Sequence, residues 1–204
     1  MTKILYEDFL RKLMKPYVRD NPFLLLVDSW SGQVDPTLYD EVFGNAYGIV
    51  SCRLKIIPPK CTCLCQPCDV YFYRQVKTMI RRIQNAPELI SYRRELSTRE
   101  DCIKIHAIIH NQSSAPIFSA MIRYAWFASK LTDKRENFMN VNQVCFPLDV
   151  ATNRCSCENM NAVFMKCSWC RKCFCFTCIY DKYHPKYYDH VIEDDRICLF
   201  CNNF

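Results

Sequence analysis

Closely spaced cysteine pairs near the C-terminus restrict the fold of this chain more than any other feature of its sequence. The chain has 204 residues and 16 Cys. Eight of these cysteines form four pairs: Cys155 with Cys157, Cys167 with Cys170, Cys175 with Cys178, and Cys198 with Cys201. Each pair can supply half of a tetrahedral zinc site, so the four pairs predict two structural Zn²⁺ ions.

The sequence leaves open how these pairs combine. A cross-braced module joins the first pair with the third and the second with the fourth, whereas a sequential module joins neighbouring pairs. Cys173 is left over as an extra thiol, and His184 or His190 can replace a cysteine ligand. The many thiols and the lack of a charged-then-apolar leader predict a reducing, intracellular location rather than a disulfide framework.

The segment from Cys167 to His184 has a recognisable order of ligand types. It reads CSWCRKCFCFTCIYDKYH, with Cys-x-x-Cys, then Phe-Cys-x-x-Cys, then a His. This order resembles the RING and in-between-RING zinc modules. The resemblance implies a two-zinc module that contacts a protein partner, and it leaves a ubiquitin-pathway adaptor as an alternative function. Residues 136–204 carry 7 basic and 8 acidic side chains, so this part lacks the positive charge that would favour DNA by itself.

Two short apolar runs in the first third of the chain predict a pair of parallel strands. The run Phe23–Val27 has strand length and suits burial on both faces, and residues 51–57 end at Pro58-Pro59. Asp35-Pro36 between them predicts a helix start, with the aspartate as N-cap. A strand, helix and strand in this order would bring Asp28 and Asp69 to the same edge of the sheet, where two carboxylates can hold a metal ion.

The residues around these carboxylates carry a second resemblance. VDSWSGQ and the later IIPPKCTCLCQPCDVYFYRQVKTMI resemble the second and third catalytic blocks of DDE transposases of the pogo and Tigger type. The resemblance implies a ribonuclease-H-like fold, catalytic Asp28 and Asp69 with Mg²⁺ or Mn²⁺, and cutting and joining of DNA in the nucleus. Cys61, Cys63, Cys65 and Cys68 replace other residue types of that block, and we expect them to be buried as small apolar side chains.

The expected catalytic triad is incomplete. The family places a first Asp on a strand well upstream of the second, yet only 27 residues precede Asp28. Asp8 falls in a helix-like stretch and Asp20 in a turn, so neither suits that position. We therefore expect a transposase-derived nucleic-acid-binding protein that does not cut DNA on its own.

Positive charge is concentrated in the middle of the chain. Residues 71–135 carry 12 basic and 5 acidic side chains, whereas residues 1–70 are balanced. A helix from Val70 to Pro87 would place Arg74, Lys77, Arg81 and Arg82 opposite its apolar side. Lys and Arg bind the phosphate backbone without reading sequence, so these four residues are the predicted DNA contacts, and a solvated helix face is the alternative.

These observations predict an α/β protein. It would combine a partial ribonuclease-H-like core, made of two parallel strands with flanking helices, with a small C-terminal zinc module. The predicted domains are residues 1–131, a junction over 132–150 and the two-zinc module over 151–204. Helices are expected over residues 4–18, after Thr98, and over 115–131. No apolar run approaches the ~20 residues that cross a membrane, so no membrane association is expected.

Overall fold

The computed structural model describes residues 2–45, 47–90, 95–149, 153–155, 157 and 160–182. The chain divides into two compact units, Met1–Val70 and Tyr71–Phe204. Each unit has its own hydrophobic core.

The first unit is organised on a two-stranded parallel sheet. Strand β1 is Phe23–Val27 and strand β2 is Cys52–Ile56, with Phe23 opposite Cys52 and Val27 opposite Ile56. The helix between them, which we number α3, is Pro36–Phe43, and the Asp35 side chain caps it by accepting from the Thr37 backbone N–H. The predicted strand, helix and strand unit is therefore confirmed. The assignment to a ribonuclease-H-like fold stays a prediction.

The N-terminal helix packs on this sheet through only some of its apolar side chains. It runs through α1 (Lys3–Phe9), a π-helical segment (Leu10–Met14) and α2 (Lys15–Val18). Tyr6 and Leu10 are buried, whereas Leu5, Phe9 and Leu13 are 59%, 45% and 64% exposed. Met14 and Val18 also pack against this core, so part of the apolar side of the predicted helix over residues 4–18 is buried and part is exposed.

The chain after β2 forms short helical pieces. Helix α4 is Thr62–Cys65, and a π-helical segment, Cys68–Phe72, leads into the second unit.

The second unit begins with four helices. They are α5 (Tyr73–Leu89), α6 (Arg99–Ser113), α7 (Ser119–Ala128) and α8 (Val141–Cys145), with a 3₁₀ turn at Pro116–Phe118. Helix α6 starts at the predicted Thr98, whose hydroxyl accepts from the Asp101 N–H while the Asp101 carboxylate accepts from the Thr98 N–H. Helix α5 continues through Pro87 to Leu89, so the expected stop at the proline is wrong by less than a turn.

Residues 155, 157 and 160–182, which we call the cysteine-rich segment, pack into the same core as these helices. This segment contributes a short antiparallel hairpin, β3 (Met165–Lys166) and β4 (Cys173–Phe174), followed by a π-helical turn at Thr177–Asp181. This hydrophobic core joins Met79 and Ile83 of α5 and Ile105 and Ile108 of α6 with Phe174 and Phe176. The helices and the cysteine-rich segment are therefore parts of one folded body. The domain boundaries at residues 131 and 150, which follow from the resemblances, stay predictions.

Of the helices in the described part of the chain, none is both long enough and apolar enough to cross a membrane.

Candidate metal centre

Four cysteine thiols converge in the second unit. The Sγ atoms of Cys155, Cys157, Cys175 and Cys178 all lie within 4.8 Å of one another. The Cys155 and Cys178 sulfurs are 3.7 Å apart, and those of Cys157 and Cys175 are 3.9 Å apart. Four thiolates around a tetrahedral zinc, with Zn–S bonds of about 2.3 Å, have their sulfurs about 3.8 Å from one another. The donor set and its spacing therefore fit a zinc ion.

Two structural pieces hold the four ligands. Cys155 lies in a narrow loop, where its N–H donates to the Asn161 carbonyl at 3.0 Å and Arg154 bridges to Ala162. Cys157 is in the same loop, which turns back at Met160 with a left-handed φ of 45°. Cys175 follows β4 directly, and Cys178 lies in the π-helical turn, joined by a hydrogen bond from the Ile179 N–H to the Cys175 carbonyl.

This arrangement decides between the two pairing schemes for these ligands. The first cysteine pair meets the third, as in a cross-braced module, although 18 residues separate Cys157 from Cys175. Cys173 lies in β4 and is not a member of the cluster.

The cluster is enclosed by apolar side chains. Cys155, Cys175 and Cys178 are only 2–3% exposed, and Cys157 is half-buried. Next to them the rings of Phe176 and Tyr180 stack with their centroids 5.2 Å apart. A closed, four-thiol environment suits a structural ion rather than a catalytic one, because a catalytic zinc keeps an open position for water.

Burial also sets the protonation of the thiols. Burial raises the pKa of Cys175, and burial with the neighbouring thiols raises that of Cys178 well above its usual range. For Cys157, hydrogen bonds with its neighbours outweigh the effect of burial and lower the pKa to about 7. Four thiolates at this spacing repel one another, so full ionisation of the cluster requires a cation.

The second cysteine pair forms a separate knuckle at the tip of the β3–β4 hairpin. The Cys167 N–H donates to the Lys172 carbonyl, and the Arg171 N–H donates to the Cys167 carbonyl. Arg171 adopts a left-handed φ of 64°, which closes the turn. Cys198, Cys201 and His184, the other predicted ligands, lie outside the described residues, as does His190.

Helix α6 fastens this knuckle through contacts that no sequence motif indicates. Gln112, 2% exposed, accepts from both the N–H and the hydroxyl of Ser168, at 2.8 and 2.9 Å. Its amide NH₂ donates to the Cys167 sulfur at 3.7 Å, and the Trp169 indole donates to the Asn111 carbonyl at 2.8 Å. Near the same sulfur lies Cys145 of α8, whose pKa burial raises to about 12. A lone glutamine at a helix end gives no signal that could be recognised beforehand.

The two predicted catalytic carboxylates occupy different environments in the first unit. Asp28 is half-buried at the end of β1, where its Oδ1 accepts from the Ser29 N–H at 2.6 Å and from the Thr62 hydroxyl at 3.3 Å. Asp69 is exposed in the first turn of the π-helical segment. Within the described residues, the four thiols form the one group of three or more metal-binding side chains close enough to share an ion.

The cysteines of the loop between these carboxylates are not buried as expected. Cys63 is exposed, and Cys61, Cys65 and Cys68 are half-buried. The reason is local, because α4 has only four residues and neither hydrophobic core includes a residue from 58–70.

The predicted phosphate contacts lie on α5. Arg74, Lys77, Arg81 and Arg82 are all exposed, and the first three follow one face of the helix at spacings of three and four residues. None of the ion pairs between described residues involves them. The opposite face, with Met79 and Ile83, is buried.

Comparison of the chain with protein-family models, with characterised proteins and with solved structures finds no match. The resemblances to DDE transposases and to RING-type modules therefore stay predictions from short motifs.

Proposed function

We propose that this protein is a zinc-stabilised nucleic-acid-binding protein of transposase descent. The observation that carries the proposal is that the thiol cluster and the basic helix α5 are built into one hydrophobic core. Metal binding at the cluster would stabilise the helix that presents Arg74, Lys77 and Arg81 to solvent.

The zinc part of the proposal is supported by the donor set. Zinc is the common structural ion for four cysteines, and its binding contributes directly to folding in small metal-dependent domains. We propose a second zinc at Cys167 and Cys170, completed by Cys198 and Cys201, because the first and third pairs are already joined. The hydrogen bond from Gln112 to Cys167 supports this, since an N–H donor stabilises a metal-bound thiolate.

The nucleic-acid part is supported by the arrangement of positively charged side chains on α5. Three cations along one exposed helix face can contact successive phosphates, and each contact releases counterions. Such contacts bind DNA or RNA without reading the sequence. This proposal requires no catalysis from Asp28 and Asp69, which we propose as two of the metal positions of the ancestral transposase.

A salt titration tests this function. Binding of a labelled duplex should weaken with added salt, and Lys77→Ala should reduce the slope of log K against log salt by about 1. The charge-matched control is Arg135→Ala, which removes an exposed cation outside α5. Equal slopes for wild type and Lys77→Ala would contradict a phosphate contact at α5.

A further inference from the structure

A cleft opens between α5, α8 and the cysteine-rich segment, within the second unit. Its volume is about 1170 Å³, slightly above the roughly 300–1,000 Å³ that is usual for ligand pockets. One wall is Arg81, Arg82 and Asn85 of α5, to which Asn142 in the first turn of α8 and Phe146, directly after that helix, are added. The wall facing them comes from the cysteine-rich segment and includes Phe164, Phe176 and Asp181.

The cleft combines two arginines and one aspartate, Asp181, with aromatic rings, of which Phe146 and Phe164 are half-buried and Phe176 is buried. The Arg82 guanidinium lies over the Phe146 ring at 5.3 Å from its centroid. Phe164 packs edge-on against both Phe146 and Phe176, with ring centroids 5.6 and 5.2 Å apart. An arginine plane supported by an aromatic ring is a surface on which an unpaired base can stack.

Two asparagine side chains at the same cleft carry hydrogen-bonding groups that bond to no other described residue. The side-chain amides of Asn85 and Asn142 are exposed and make no hydrogen bond with another described residue. Amides of this kind donate to and accept from the edges of bases. Those edges are accessible when the bases are not paired in a duplex.

The cleft is continuous with the basic face of α5. Arg81 belongs to both, so a strand whose phosphates contact Lys77 and Arg81 would bring its bases to the cleft. The charged side chains, the stacking surface and the hydrogen-bonding groups therefore favour the same ligand, a nucleic-acid strand with exposed bases.

We propose that this cleft binds the unpaired bases of single-stranded nucleic acid, an inference that rests on the proposed nucleic-acid-binding function. The shared chemistry is a phosphodiester strand with exposed bases, which single-stranded DNA and RNA both supply. An acidic peptide would satisfy the two arginines, but it would leave the stacking surface unused.

The test compares three labelled ligands on the zinc-loaded full chain. They are a DNA strand of about 16 nucleotides, the RNA of the same sequence, and the DNA duplex. Fluorescence anisotropy should give at least one single strand about 5- to 10-fold tighter binding than the duplex, the gain expected from stacking. Which strand binds more tightly identifies the natural source.

Two variants locate the effect in the cleft. The double variant Asn85→Ala with Asn142→Ala, and separately Phe146→Leu, should remove the single-strand preference and leave duplex binding unchanged. Lys77→Ala should instead weaken both forms alike. A thermal melt of each variant excludes a folding defect as the cause.

The remaining outcomes separate this inference from the proposed function. Equal binding of single strand and duplex, insensitive to the cleft variants, would overturn the cleft assignment and leave nucleic-acid binding intact. Absence of binding to all three ligands would overturn both. A polyglutamate peptide whose binding is lost in the cleft variants, with oligonucleotide binding unchanged, would assign the cleft to acidic protein segments.

Discussion

Individual thiols decide the chemistry of the candidate metal centre. Cys155 and Cys178 lie 23 residues apart in the chain, yet their sulfurs are 3.7 Å apart in the fold. A distance of this size agrees with shared coordination of one zinc ion. Each of the four ligands is therefore needed for a complete tetrahedron, whereas Cys173 lies outside the cluster.

Removal of one ligand should remove one metal ion. Cys178→Ser is expected to lower the zinc content by one ion per chain, because three thiolates do not complete a structural site. Cys173→Ser is the matched control and should retain all zinc. Native mass spectrometry counts the ions directly, and an unchanged count for Cys178→Ser would remove this residue from the ligand set.

Zinc binding should release protons. Because their pKa values are raised, Cys175 and Cys178 carry protons at neutral pH and must lose them to bind metal. We expect at least about two protons released per zinc at this site at neutral pH, with affinity falling as pH decreases. Titration calorimetry in buffers of different ionisation enthalpy measures the number. Release of close to zero protons per zinc would contradict the expectation that Cys175 and Cys178 each lose a proton when they bind the metal.

At the scale of the elements, the sequence predicted the starts of helices correctly, but it did not predict which distant residues pack together. Asp35-Pro36 predicted the start of α3 and Thr98 the start of α6, because caps act within one helical turn. Tyr6 is buried and the neighbouring Leu5 is exposed, a difference that depends on how the helix packs on the sheet and that hydrophobic periodicity does not reveal. Cysteine spacing predicted the half-sites, but their pairing required the fold.

The attachment of the β3–β4 knuckle to α6 should depend on Gln112. Gln112→Ala removes the side-chain oxygen that accepts from the Ser168 N–H and hydroxyl, and it leaves that buried N–H without its partner, so the free energy of unfolding should fall by about 1–3 kcal/mol. Gln84→Ala, on the exposed side of α5, is the control and should change stability little. Chemical denaturation of the two variants measures the difference. Equal stability would show that the hydrogen bonds to Ser168 contribute nothing net.

At the scale of the whole molecule, the two units have separate cores and one of them contains the thiol cluster. The core of the first unit includes Tyr39, Val42 and Phe43 and has no member of the cluster. The second core includes three of the four cysteines among its buried residues, with Cys157 packed against them. Metal should therefore affect the two units differently.

Metal removal should expose α5 and α6 to solvent exchange and spare the first unit. We expect a chelator to accelerate hydrogen exchange throughout both helices, while β1 and α3 keep their protection, because zinc binding supplies about 10–16 kcal/mol in small zinc domains. Mass spectrometry after proteolysis resolves these segments. Protection of α5 and α6 that is unchanged by the chelator would show that their core folds without metal.

In the proposed function, zinc held by cysteine thiolates stabilises the second unit. X-ray absorption at the zinc edge of the purified full chain measures the ligands directly. Four sulfur neighbours at about 2.3 Å around each zinc are expected. Coordination dominated by oxygen or nitrogen, or a chain purified without zinc that does not take it up, would rule out thiolate-bound zinc in this protein.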